Sequence, residues 1–218
     1  GRACITMSFR PMLAATVVLF AVAAAPSFAE HHDAEIDVSR TLISESNCRV
    51  MSSGSPPDQV VSACDGENGW TLYLHDHATY MSLSLEPEGG HNSGELEFLR
   101  FGSDGEIINR LQWVYADEAL LGLVVGYGEV PLAGETDGAF NMYSIALKPD
   151  QTPSACIMSR VEFGQVRGVD SAARQVITSM ADGWDCTEDE RIDFSPETIN
   201  GQTYSQAVRE AARARSGN

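Results

Sequence analysis

Along this chain the apolar positions keep two spacings. From residue 42 to residue 162 they alternate with polar ones, or run in blocks of strand length closed by turn residues; after Gly168 they recur as on one face of a helix. "LISESNCRV" and "QVVSAC" read as strands around "SSGSPPDQ". "WTLYLHD" and "ATYMSLSLE" read as a hairpin that leads into an acidic, glycine-rich loop, "PEGGHNSGE". "LEFLRFG" and "EIINRLQWVYA" flank a turn at Ser103-Asp104-Gly105, and "LLGLVVGYG" is apolar enough for a central strand. "AFNMYSIALK" and "ACIMSRVEFG" follow on either side of the loop that holds Pro149 and Pro153. The pattern amounts to about nine short strands.

Within "VDSAARQVITSMADGW", Val169, Ala172, Ala173, Val176, Ile177 and Met180 form one apolar stripe. A helix over 170–182 is expected, with Asp170 or Ser171 to cap its start and Gly183 to close it. Beyond Cys186 the chain turns polar. "YSQAVREAARARSG" then reads as a short C-terminal helix, carried as a frayed or loosely docked tail, with arginines suited to its negative end. The expected architecture is α+β, mainly antiparallel β and sandwich- or barrel-like, with one domain at 36–194 and a polar linker and helix at 195–218.

Residues 1–29 follow another rule. Arg10 precedes an uninterrupted apolar run from Met12 to Ala25, Pro26 breaks it, and Ser27 and Ala29 set small side chains before a cleavage point. That is the profile of a secretory signal peptide. The run falls short of the ~20 apolar residues that span a bilayer, so the cleaved protein is not expected to be membrane-spanning. Residues 1–6 stand before Met7 and fit neither leader nor domain. The mature chain is expected to begin at Glu30, in the periplasm or secreted beyond it.

Charge narrows the partners. Of 14 basic and 31 acidic side chains, 12 basic and all 31 acidic ones follow Ala29, a balance of −19, and Lys148 is the one lysine. Such a surface has no basic patch with which to release counterions, so nucleic acid and anionic lipid are excluded as partners.

Export also makes the cysteines readable, since four remain after the leader: Cys48, Cys64, Cys156 and Cys186. Four cysteines allow three pairings. The midpoint of Cys48 and Cys64 falls on Pro56, so an antiparallel hairpin would set them opposite each other. A strand running out from Cys156 and a helix running back would return Cys186 to it. Bridges Cys48–Cys64 and Cys156–Cys186 are therefore expected.

Candidate chemistry is sparse. The chain has no nucleophile-elbow motif and no phosphate-binding glycine loop, and 31 acids make any single carboxylate pair uninformative. His75 and His77 are two apart in a strand and so share a side. With His91 or Glu88 from the next loop they would give a ligand set for zinc or copper. The sequence Glu30-His31-His32 would present a free amine, two backbone amides and an imidazole, a planar nitrogen set suited to Cu(II) or Ni(II). No cofactor is required by this reading. Trp70 and Trp113 read first as core packing and second as candidates for a partner contact on an exposed apolar patch.

The order of a cysteine-bearing hairpin, "CDGENGW", "LQWVYADEALLGLVVGY", "ACIMSRV", an "AAR"-containing helix and "WDC" resembles a family of small exported proteobacterial proteins of unknown function with two disulfides. Where those relatives read roughly E-W-R, this chain has Gln112-Trp113-Val114, so two charged positions are absent. The resemblance covers residues 40–190 and implies no activity. The expectation for function is a non-catalytic exported module that binds a protein or a cell-envelope component. The alternatives are a hydrolase with a dispersed carboxylate site, or a copper- or zinc-handling protein.

Overall fold

Two-residue turns set the first registers. Asn68 and Gly69 both adopt positive φ, 49° and 76°, the type I′ geometry that matches the twist of a hairpin. They join β3 (Val60–Asp65) to β4 (Trp70–Asp76). The computed structural model describes residues 35–53, 59–98, 104–108, 110–130, 139–163 and 168–217. The leader, the Glu30-His31-His32 terminus and the turn around Pro56 lie outside the described residues.

β2 (Cys48–Ser53), β3, β4 and β5 (Met81–Pro87) form a four-stranded antiparallel sheet in that order. Leu72, Leu74, Leu83 and Leu85 point to one face and Tyr73, His75, Ser82 and Ser84 to the other, the period-two pattern of a sheet with one apolar face. The larger sheet runs β1 (Ile36–Leu42), β7 (Arg110–Ala116), β8 (Ala119–Val130), β9 (Phe140–Leu147), β10 (Ala155–Glu162) and β11 (Ile192–Phe194). β6 (Asp104–Ile107) pairs with the far end of β8, and β11 joins β10 in parallel.

The large sheet is covered on both sides. One face meets the small sheet through Leu111, Trp113, Leu123, Val125, Tyr143 and Ile145. The other packs Val114, Val124, Met142 and Met158 against α1 (Val169–Met180) and α2 (Tyr204–Ser216). The result is three layers: small sheet, large sheet, helices. At Gly122 a Cβ would stand 2.5 Å from the Ile145 carbonyl oxygen and 2.8 Å from Ile177 Cγ2, so glycine is what lets α1 seat there.

Both expected disulfides are present. Cys48 and Cys64 are direct cross-strand partners, and Cys156–Cys186 ties β10 to the segment after α1. The stripe from Val169 to Met180 is buried in full. The elements differ from expectation in several places. β1 is a strand of its own, separated from β2 by a turn in which Asn47 N–H donates to the Ser44 carbonyl. Asp104 and Gly105 belong to β6 and not to a turn. Gly168, in the left-handed region, starts α1 with no side-chain cap, because Asp170 is drawn to Gln112 and Arg174. Ala181, and not Gly183, ends that helix.

α2 is docked and not loose. Thr203 and Gln206 close its first turn in a capping box, and Tyr204 and Val208 are buried in the helix-side core. Arg215 clamps it by pairing with Asp189 at 2.6 Å and lying over the Trp184 ring at 4.3 Å.

Candidate functional site

The polar face of the small sheet gathers most of the chemistry. β4 and β5 meet in a tight turn, His77 to Tyr80, in which the His77 amide donates to the Tyr80 carbonyl and the Ala78 amide to Asp76 Oδ1. That turn lays the His77 ring on Tyr80, with centroids 4.3 Å apart. His75 and His77 then stand on the same side, their rings near parallel and 6.4 Å apart, as their spacing predicts.

The third member of the cluster is Glu95, and neither His91 nor Glu88. Residues after the glycine-rich loop return beside β5, with the Leu96 amide donating to the Leu83 carbonyl and the Ser93 amide to that of Leu85. This buries Leu96 and Phe98 in the inter-sheet core and brings Glu95 over the histidines. Glu95 Oε2 lies 2.9 Å from His77 Nε2 and accepts from Ser82 Oγ at 2.5 Å; Glu95 Oε1 is 3.6 Å from His75 Nδ1. His91 is exposed in the loop, and Glu88 sits beside Gly69 at the other end of the sheet.

Gln59, at the start of β3, completes the cluster. Its Nε2 lies 2.9 Å from His75 Nδ1, 3.0 Å from His77 Nε2 and 3.1 Å from Glu95 Oε1. Behind it, His75 Nε2 meets Ser84 Oγ at 2.8 Å, and Asn92 donates to the same hydroxyl. The electrostatics follow from this crowding. Burial pushes the His75 pKa down and His77 adds to that, against the pull of Glu95, so His75 is held toward its neutral form. Glu95 is opposed by burial, yet hydrogen bonds from Ser82, Gln59 and His77 outweigh it and hold the carboxyl down at about 2.

Ser84, His75 and Glu95 stand in the order nucleophile, base, acid, but only Ser84 and His75 are hydrogen-bonded; His75 Nδ1 is 3.6 Å from Glu95 and bonds to Gln59. Ser84 is only 2% exposed and its oxygen already takes bonds from both sides, so attack on an incoming carbonyl is blocked. The arrangement suits binding better than acyl transfer. Among the described residues, no group of three or more His, Cys, Asp or Glu side chains could hold a metal ion.

Both tryptophans proposed for partner contact are core residues. Trp70 is 5% exposed, and Trp113 is fully buried with its Nε1 donating to Thr41 Oγ1 at 2.9 Å. Each fills the space between the sheets, so neither is open to a partner. Gln112 and Val114, the positions charged in the resembled family, are buried toward α1, where Gln112 bridges Asp170 and Arg174. Gln59 and Glu95 were missed in sequence. No motif marks them, and only the pairing of Leu96 with Leu83 brings Glu95 to the site.

The chain matches no protein-family model, no curated protein and no solved structure. No helix among the described residues is long and apolar enough to cross a membrane. The two disulfides are of the kind an oxidising compartment sustains.

Proposed function

We propose that the protein is an exported, non-catalytic binding module of the periplasm or cell envelope, and that it takes its ligand on the outer face of the small sheet. The observation that supports this reading is how that face is held. His75, Ser82 and Ser84 on β4 and β5, with His77, Glu95 and Gln59 from the flanking turn, loop and strand end, form one hydrogen-bonded cluster over a sheet whose other face is locked into the inter-sheet core. Polar groups fixed by packing and by neighbouring hydrogen bonds are what a recognition surface needs. The Cys48–Cys64 bridge ties the outermost strand of this sheet to its neighbour.

The test compares two faces of the molecule. Immobilised protein is offered an envelope extract of its own cell, as wild type, as Tyr73→Ala/Glu95→Ala on the sheet face, and as Arg209→Ala/Arg213→Ala on α2. A saturable partner retained by the wild type and the helix variant, and lost by the sheet variant, is the expected result. Equal retention by all three, loss in the helix variant alone, or retention of nothing by the wild type would overturn the reading.

A further inference from the structure

β1 is an outermost strand of the large sheet, and only its inner edge is paired. Its ladder with β7 runs without a register shift, from Ile36 opposite Ala116 to Leu42 opposite Arg110. One step before the strand, the Asp117 amide donates to the Glu35 carbonyl, which makes those two residues a hydrogen-bonded pair. Bonded and non-bonded pairs alternate along an antiparallel ladder. Asp37, Ser39 and Thr41 therefore spend their backbone groups on β7, and Ile36, Val38, Arg40 and Leu42 turn theirs outward. The side chains of those outward residues share one face, and Ile36 and Leu42 at its two ends are 45% and 52% exposed.

An open edge is completed by one more strand, and "IDVSRTL" is complementary to itself. A twofold axis at Ser39 sets two copies antiparallel, with Ile36 opposite Leu42 and Val38 opposite Arg40. Every residue with outward backbone groups then faces another, as a hydrogen-bonded pair. The exposed apolar side chains cover each other, and the Arg40 stem lies along Val38. On the other face Asp37 stands opposite Thr41, and Ser39 opposite its own copy. No like charges meet. Other registers lose this match. A slip of one residue sets outward groups against inward ones; a slip of two puts Arg40 opposite Arg40, or Ile36 opposite Arg40.

We propose that β1 is a homodimer interface, and that its occupant is β1 of a second copy, paired antiparallel about Ser39. The two large sheets become one, across an isologous interface. This goes beyond the reading of the small sheet as the binding face and does not depend on it. One strand pair is a small contact, so the dimer is reversible and depends on concentration. Both partners are strongly acidic, so salt that screens their repulsion tightens it.

The experiment is sedimentation equilibrium of the protein purified from its own cell, over a range of concentrations and at two salt levels. A dimer with Kd below about 1 mM is expected, tightening severalfold as salt rises. Arg40→Pro should weaken it at least tenfold with unaltered circular dichroism, because the amide it removes faces outward and serves no bond to β7. Leu42→Lys, which leaves the backbone alone, should also weaken it at least tenfold. Val50→Lys on β2, an outermost strand of the small sheet, should leave it unchanged. Mild oxidation reads the register. Ser39→Cys should join two copies across the axis, whereas Asp37→Cys should not, since that position and its copy stand more than about 12 Å apart. A monomer up to about 1 mM, or a dimer indifferent to both Arg40→Pro and Leu42→Lys, would overturn the proposal. So would loss of the dimer in Val50→Lys, weakening by salt, or a link through Asp37→Cys and none through Ser39→Cys.

Discussion

The two sheets face opposite conditions, and their polar residues serve opposite ends. The large sheet is covered on both faces, and its strands run as "LLGLVVGY" and "MYSIAL" with hardly a break. Its few polar side chains are spent inside the fold: Ser159 donates to Ser144, which donates to the Ala173 carbonyl of α1. The small sheet is covered on one face, and "WTLYLHD" and "MSLSLE" alternate. Its outward polar groups bond to one another and to a loop, within reach of water. The alternating strands, and not the most apolar ones, are those that turn polar side chains outward.

This contrast can be broken by mutation. Trp113→Ala empties the space between the sheets and should cost about 3–5 kcal/mol, whereas Tyr73→Ala on the outer face should stay within roughly 1 kcal/mol. Denaturant midpoints of the two variants check it, and a similar loss for both would erase the distinction. The disulfides sharpen it. Opening Cys156–Cys186, which closes 30 residues at the helix layer, should cost about 3.7 kcal/mol, against about 3 kcal/mol for Cys48–Cys64, which closes 16. Paired alanine variants in urea give the order. The smallest effect concerns acid. The hydrogen bond from Arg215 holds the Asp189 carboxyl below its usual range, so its contribution is present at neutral pH and is lost as pH falls through and below about 4. Amide exchange in α2 should quicken there by a few fold, and Asp189→Asn should remove the pH dependence.

Local pattern carried much of this fold. The period of two, the stripe from Val169 to Met180 and the midpoint at Pro56 were enough for strand content, α1 and both disulfide pairings. What the sequence did not show is long-range. β1 reads as half-polar "IDVSRTL", and only its pairing with β7, some seventy residues on, makes it a strand. That the strands divide into two sheets depends on which edges meet, and periodicity is silent on this. The histidine pair was legible because both partners lie on one strand and its turn. Glu95 was one of 31 acids, and an amide such as Gln59 carries no signature of its own. The tryptophans were ambiguous for another reason: an aromatic suits a core and an interface equally until burial is known.

β2 has a consequence for how copies of this protein behave together. It is an outermost strand, and Val50 and Met51 there are 65% and 54% exposed. A straight apolar edge of that kind invites a neighbouring chain to add its own strand and begin sheet growth. Here the register slips between Val50 and Ser52, which kinks the row of backbone groups a newcomer would have to match. The cross-strand Cys48–Cys64 bond keeps that kinked strand from peeling away and leaving β3 bare. Together with mutual repulsion between acidic molecules, the interruption works against strand addition along that edge.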